Sequence, residues 1–268
     1  MALYTFDSVE DFARQAAKLK SYSKGASDWT AYTSYDDCVK FAIEGNDKYV
    51  ETAQKLIDQL DVELPETKAF RVIRSPFGGR VNFSDWQRGL PDPMRRKVKR
   101  VSDTNELKIV VSTTSSASVN YKDMEKRGTA ILALLLKLQT VRPIQLYLLS
   151  ELSGNGWQGW HHALIRIESQ PLAVSVAAFA LCNVGFARHL TYEFARVKDK
   201  SGCAWPEGYN YGDSGDSKYI RQVRARCNLR DDDLYIKSVY SGDLIVRNSV
   251  AWVKDALEKY ANLESEET

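Results

Sequence analysis

The stretch from Leu107 to Gln139, LKIVVSTTSSASVNYKDMEKRGTAILALLLKLQ, constrains the fold more than any other. LKIVVST is rich in β-branched residues and reads as a buried strand. From Lys122 to Gln139, Met124, Ile131, Leu132, Leu134, Leu135, Leu136 and Leu138 leave little polar face, which predicts a helix buried on most sides. A second apolar run, PIQLYLLSEL, follows at once. The order strand, helix, strand fits a right-handed crossover within a partly parallel sheet. The fold class expected is therefore α/β.

Six of the seven residues between that strand and helix, Ser112 to Ser118, are Ser or Thr, Ala117 being the exception. A strand that ends in Asp-x-Ser-x-Ser and turns into a helix is the metal site of von Willebrand A-like domains. Here the three positions read Ser112, Thr114 and Ser116. The resemblance implies a von Willebrand A-like core with its site at the carboxyl ends of the strands, where open α/β sheets bind ligands. The aspartate is replaced, and a hard cation needs carboxylate charge, so the expectation is at most a weak divalent-cation site and no other cofactor. Two further readings stand beside it. The hydroxyls can cap the strand end and the next helix, or they can form an enzyme site, although no general base adjoins them in sequence.

The rest of the chain divides into three parts. Residues 1–64 read as mainly helical. SVEDFARQAAKLK offers Ser8 as a cap, with Asp11 three residues on. TSYDDCVKFAIEG offers Thr33 or Ser34, with Gly45-Asn46 as the stop. Residues 65–196 form the α/β core, with further strands in AFRVIRS and ALIRIES and a mostly helical VSVAAFALCNVGFARHLTYEFARV. Residues 197–268 form a smaller α+β extension. In it DLYIKSVYSGDLIV predicts one or two short strands, and VRNSVAWVKDALEKYANLE an amphipathic helix.

The net charge is +2, so any surface that attracts a polyanion must be local. Two basic clusters qualify. MRRKVKR supplies Arg95, Arg96 and Lys97, with Lys99 and Arg100 beyond them. SKYIRQVRARCNLR supplies Lys218, Arg221, Arg224 and Arg226 beside a tyrosine-rich loop, the chemistry of phosphate contact with base stacking. Either is also explained as a solvated surface, and Asp231 to Asp233 would pair with the second. His161 and His162 in GNGWQGWHH point to opposite faces if they lie on a strand. Four widely spread cysteines read as reduced thiols, with no zinc spacing. The apolar runs AILALLL and LAVSVAAFALC are too short to span a bilayer, and MALYTFDSVEDFARQ carries acids too early for a signal peptide.

Several segments in order resemble an uncharacterised family of proteins from tailed phages and related mobile elements. They are WTAYTSYDDCVKFAIEG, FGGRVNFSDWQRGLPDPM, the stretch from Lys108 to Leu138, IRIESQPLAVSVAAFALCNVGFARHL and DLYIKSVYSGDLIVRNSVAWVKDAL. This chain has Asn183-Val184 where members of that family usually carry His-Pro, so no role is carried over to that turn. The resemblance implies a phage origin and a host-cytoplasm setting, and no activity. With its metal aspartate replaced, such a core suits a non-catalytic accessory protein that binds a macromolecule, first a phage or host protein and second a nucleic acid.

Overall fold

The computed structural model describes residues 2–19, 25–60, 70–75, 80–89, 93–99, 106–115, 119–153, 160–167, 169, 172–198, 221, 224–225, 227–240 and 242–261. In chain order the elements begin with β1 (Ala2–Phe6), α1 (Val9–Ala17), α2 (Tyr35–Glu44) and α3 (Val50–Asp58). Next come β2 (Phe70–Ser75), β3 (Arg80–Val81), α4 (Phe83–Gln87) and β4 (Met94–Lys99). The centre holds β5 (Leu107–Ser112), α5 (Tyr121–Val141), β6 (Ile144–Ser153), β7 (Trp160–Ile167), α6 (Val174–Cys182) and α7 (Tyr192–Lys198). The chain closes with β8 (Leu234–Ile236), α8 (Leu244–Arg247) and α9 (Ser249–Ala261).

The fold is mixed α/β. Five of the described strands form one mostly parallel sheet in the order β1-β7-β6-β5-β8. Only the β6–β7 pair is antiparallel. One register row crosses the whole sheet through Phe6, Ile165, Leu148, Val111 and Ile236, all buried. Because side chains alternate along a strand, that row and its neighbours two residues away make one continuous apolar face. The buried residues of α1, α2, α3, α5, α6 and α9 share a single core with it. The other face carries a smaller cluster, in which Val110 and Leu149 pack with Cys227 and Leu229.

Local chemistry sets the helix ends. Ser8 accepts from the Asp11 amide at 3.0 Å, Ser34 from the Asp37 amide at 3.1 Å, and Asn120 from the Asp123 amide at 2.9 Å. Each satisfies a donor that has no partner within its helix. Gly45 ends α2 at φ +85°, the backbone region expected of its Gly-Asn stop. Gly128 has a different reason. A Cβ there would stand 2.3 Å from the Leu181 carbonyl oxygen, so glycine lets α5 and α6 touch backbone to backbone.

After α6 the chain breaks at Asn183 and resumes as a π-helical turn, Phe186–Thr191. The two apolar halves on either side, Val174–Cys182 and Phe186–Ala195, bend by 74°. Among the described residues no single helix is long and apolar enough to cross a membrane. A buried polar network holds the break. Asn183 donates to Thr33 Oγ1 at 3.0 Å and to the Tyr49 hydroxyl at 3.3 Å, and its own oxygen accepts from the Gly185 amide at 2.8 Å. Arg188 stacks on Trp29 at 3.6 Å from the ring centre and donates to the Trp29 and Val119 carbonyls.

Two features refine the sequence reading. The first segment is not only helical, because Ala2–Phe6 adds in parallel to the free side of β7. Five residues carry too little pattern to announce this; what makes them a strand is the row of unpaired amides and carbonyls that β7 presents. Of the two short runs in DLYIKSVYSGDLIV, the first is β8 and the second is helical. Ile245 and Val246 are adjacent and both buried in the same core, which a strand, alternating faces at each residue, would not allow.

Candidate nucleic-acid interface

The hydroxyl turn follows β5, as the sequence places it, but its geometry is closed. Ser112, Thr113, Thr114 and Ser115 are all buried. The Thr113 amide donates to the Leu149 carbonyl at 2.8 Å, and its hydroxyl donates to the same oxygen at 3.3 Å. Ser112 Oγ accepts from the Thr114 amide at 3.4 Å. Ser115 extends the β5–β8 pairing through a parallel bridge to Val239. Ser116 lies outside the described residues.

Beneath the turn sits Arg127, a cation 1% exposed where α5 passes from its polar first turns to its apolar part. Its Nη2 donates to the Ser112 carbonyl at 2.8 Å and to the Lys237 carbonyl at 2.8 Å, pinning the carboxyl ends of β5 and β8 together. A fixed positive charge against the first of the three expected ligands repels a second cation in a low-dielectric setting. Ser112 and Thr114 bring hydroxyls and no carboxylate of their own, a poor donor set for a hard divalent cation. Among the described residues no three His, Cys, Asp or Glu side chains gather to hold a metal ion.

The C-terminal basic segment is drawn into a local ion network. Arg224 donates to the Asp233 carbonyl at 3.4 Å and to the Arg230 carbonyl, and lies 3.9 Å from the Asp231 carboxylate. Arg230 binds Asp233 at 3.0 Å and Asp232 at 3.4 Å. Asp233 also accepts from the Lys108 amide at 2.9 Å, which ties the segment to the start of β5. Burial alone would raise the Asp233 carboxyl; the bonds from Arg230 and Lys108 outweigh it and hold the group below its ordinary value. Arg221 is exposed on a helical residue, while Lys218 and Arg226 lie outside the described residues.

The first basic cluster has a different setting. β4 is the central strand of a second, three-stranded antiparallel sheet in the order β2-β4-β3. The register sets Arg74 and Arg80 directly opposite Arg95, one on each side. Lys97 and Lys99 follow at alternate positions of β4 and so belong to the same face as Arg95, while Arg96 belongs to the other. Residues 70–99 carry eight cations, Arg71, Arg74, Arg80, Arg88, Arg95, Arg96, Lys97 and Lys99, against two acids, Asp85 and Asp92. A chain whose total is only +2 has concentrated its positive charge on about thirty residues.

Between β3 and β4, α4 presents two aromatic rings. The Asn82 amide donates to the Pro93 carbonyl at 2.7 Å, which fastens the start of α4 beside the start of β4. The Asn82 side chain donates to the buried Asp85 carboxylate. Phe83 and Trp86 are three residues apart, so they share one side of the helix. Their ring centres are 5.9 Å apart in an edge-to-face contact, and they are 68% and 60% exposed. Val81 beside them is 47% exposed.

His161 and His162 lie on β7, opposite Leu152 and Glu151, so the pleat sends them to opposite faces. Sequence reasoning did not single out Arg127 or the Phe83–Trp86 pair. The signal available for the pair was two aromatic residues three apart in a segment rich in cations; for Arg127 it was a guanidinium at the point where the helix turns from polar to apolar.

A family model described as a domain of unknown function, DUF7192, matches residues 1–263. The chain belongs to the DUF7192 family. The full-length resemblance to an uncharacterised family is thereby borne out at that level. No curated protein and no solved structure matches the chain. For DUF7192, the chemistry of its surfaces is therefore the guide to function.

Proposed function

We propose that this chain is a non-catalytic accessory protein that acts by binding nucleic acid through its three-stranded sheet. The observation that carries the reading is the row Arg74–Arg95–Arg80 across all three strands. Like charges placed directly opposite destabilise a sheet, so a polyanion that neutralises them gains both attraction and relief of that repulsion. Read as a sequence, the chain ranks a protein partner first; the clustering of cations on one small sheet moves nucleic acid ahead of it. Arg95 and Lys97 are assigned the leading contacts, with Arg96 on the opposite face, while Arg224 has its nearest partners within its own segment.

The von Willebrand A-like core belongs to the same reading. Its support is that β5 lies between two parallel neighbours, β6 and β8, and that its hydroxyl turn leads into α5 at the carboxyl end of the sheet. The core then acts as the scaffold and not as the binding site. A tailed-phage origin and a host-cytoplasm setting rest on the ordered motifs between Trp29 and Leu257.

Fluorescence anisotropy with labelled single-stranded DNA, duplex DNA and RNA at low and moderate salt tests the proposal. Binding should weaken steeply with salt. The double variant Arg95→Ala/Lys97→Ala should lower the slope of log affinity against log salt by roughly 1.5 to 2. Absence of binding at low salt by the folded protein would refute it, and so would an unchanged slope in the double variant.

A further inference from the structure

Resting on that reading, we infer that the ligand of the small sheet is a single strand, whose bases stack on Phe83 and Trp86. The argument begins with what exposed rings cost. Two large aromatic side chains with well over half of their surface in water, next to a half-exposed valine, forgo burial on a protein that has a core available. Solitary exposed apolar residues need no account, but here three lie within six residues of one another. Phe83 and Trp86 also lie, along the chain, between Arg80 of β3 and the arginines and lysines of β4.

A partner for this surface must be anionic and must also carry flat apolar faces. An unpaired nucleotide is both: its phosphate is the anion and its base the face. A duplex offers the phosphates but keeps its base faces stacked inside, so the rings would gain nothing from it. Stacking on aromatic side chains tolerates any base, because every base has a π-face. The sheet adds a tolerance of its own. Arg95, Lys97 and Lys99 recur at about 7 Å along one face of β4. A flexible strand can adapt its phosphate spacing to that repeat, whereas a duplex fixes its own.

The edge-to-face geometry of Phe83 and Trp86 leaves room for this chemistry. With planes inclined by 73°, the edge of one ring meets a face of the other, and each ring keeps at least one face uncovered by its neighbour. The start of the helix that carries them is tied to the start of β4 by the Asn82–Pro93 bond and is closed locally by the Asn82 side chain on the buried Asp85, which reduces the ordering left to be done on binding.

The test uses the whole 268-residue chain and three labelled probes: a 20-nucleotide oligothymidylate, the duplex it forms with oligodeoxyadenylate, and a polyglutamate peptide. Phe83→Ala and Trp86→Ala, alone and together, are compared with Trp86→Phe and with Arg95→Ala/Lys97→Ala. Both rings are exposed, so circular dichroism and melting should show the variants folded. The expected result is that oligothymidylate binds at least about ten-fold tighter than the duplex. Each ring removed should cost it about ten-fold, with the salt slope unchanged and most of the affinity kept in Trp86→Phe.

Equal affinity for duplex and single strand, with the ring variants unaffected, would overturn the stacking inference while leaving the salt-dependent nucleic-acid reading in place. No binding of either nucleic acid at low salt would overturn both. Ring-dependent binding of polyglutamate without binding of nucleic acid would show that an acidic protein segment is the occupant, and would also overturn both.

Discussion

Replacing Gly128 by alanine sets two effects of opposite sign against each other. In a helix interior alanine is favoured over glycine by about 1 kcal/mol. On that ground alone the variant should be more stable. At this position, however, the new Cβ would stand 2.3 Å from the Leu181 carbonyl oxygen and 2.5 Å from the Cys182 Cα. The obstacle is backbone, so no rotamer change relieves it. α6 would have to move off α5 by roughly 1 Å, the distance to an ordinary van der Waals contact. That movement opens gaps along Ala177, Ala178 and Leu181, which are buried in the core. Overpacking of this kind costs about 1–3 kcal/mol, and loosening a contact made along two whole helices puts it at the upper end. Net of the propensity gain, the expected loss is about 2 kcal/mol. A chain of this size loses about 2–4 °C of melting temperature for each kcal/mol, so the midpoint should fall by about 4–8 °C. Thermal melts followed by circular dichroism, checked by calorimetry, read this directly. A midpoint equal to or above that of the wild type would refute the reasoning, because it would mean that the two helices do not approach as closely as Gly128 permits.

Arg127→Met keeps the length and removes the donors, leaving the carbonyls of Ser112 and Lys237 without that guanidinium. The expected cost is about 3 kcal/mol in urea unfolding, and a variant as stable as the wild type would refute the pin between β5 and β8. His189 donates through Nε2 to the Thr33 carbonyl at 3.1 Å in a buried site facing Tyr35 and Glu193. Burial lowers its pKa below the ordinary 6.5. The unfolded chain then takes up the proton first, so this contribution to stability is fully present above about pH 6.5 and is lost as the pH falls towards the folded value. His189→Gln should flatten the fall in stability between about pH 7.5 and pH 5, and parallel curves for the two proteins would refute the assignment.

The elements that could be read from sequence are those whose signal is local and repeated. The strand at Leu107 and the helix after it carry their pattern over thirty residues, and the caps at Ser8 and Ser34 follow from side-chain oxygens placed beside unpaired amides. β1 could not be read, because its reason for being a strand lies in β7, more than 150 residues away. The hydroxyl turn was legible as a turn. What lies under it was not, since a single arginine in a helix reads as a surface residue until the ends of β5 and β8 are brought over it.

The two basic clusters show most plainly where sequence ends. As strings, MRRKVKR and SKYIRQVRARCNLR can each meet phosphate or be an ordinary surface, and the tyrosines beside the second favour it as the nucleic-acid site. Sequence by itself determined that the charge is local, that the core is α/β, and that the strand at Leu107 leads through hydroxyls into a buried helix. Tertiary structure decided which cations face one another. It folds Arg224 and Arg230 back onto Asp231, Asp232 and Asp233, and it sets Arg74, Arg95 and Arg80 in one register row across the small sheet. The physical reason is distance: Coulomb interactions act between charges that are close in space, and closeness across strands is fixed by register and not by order along the chain.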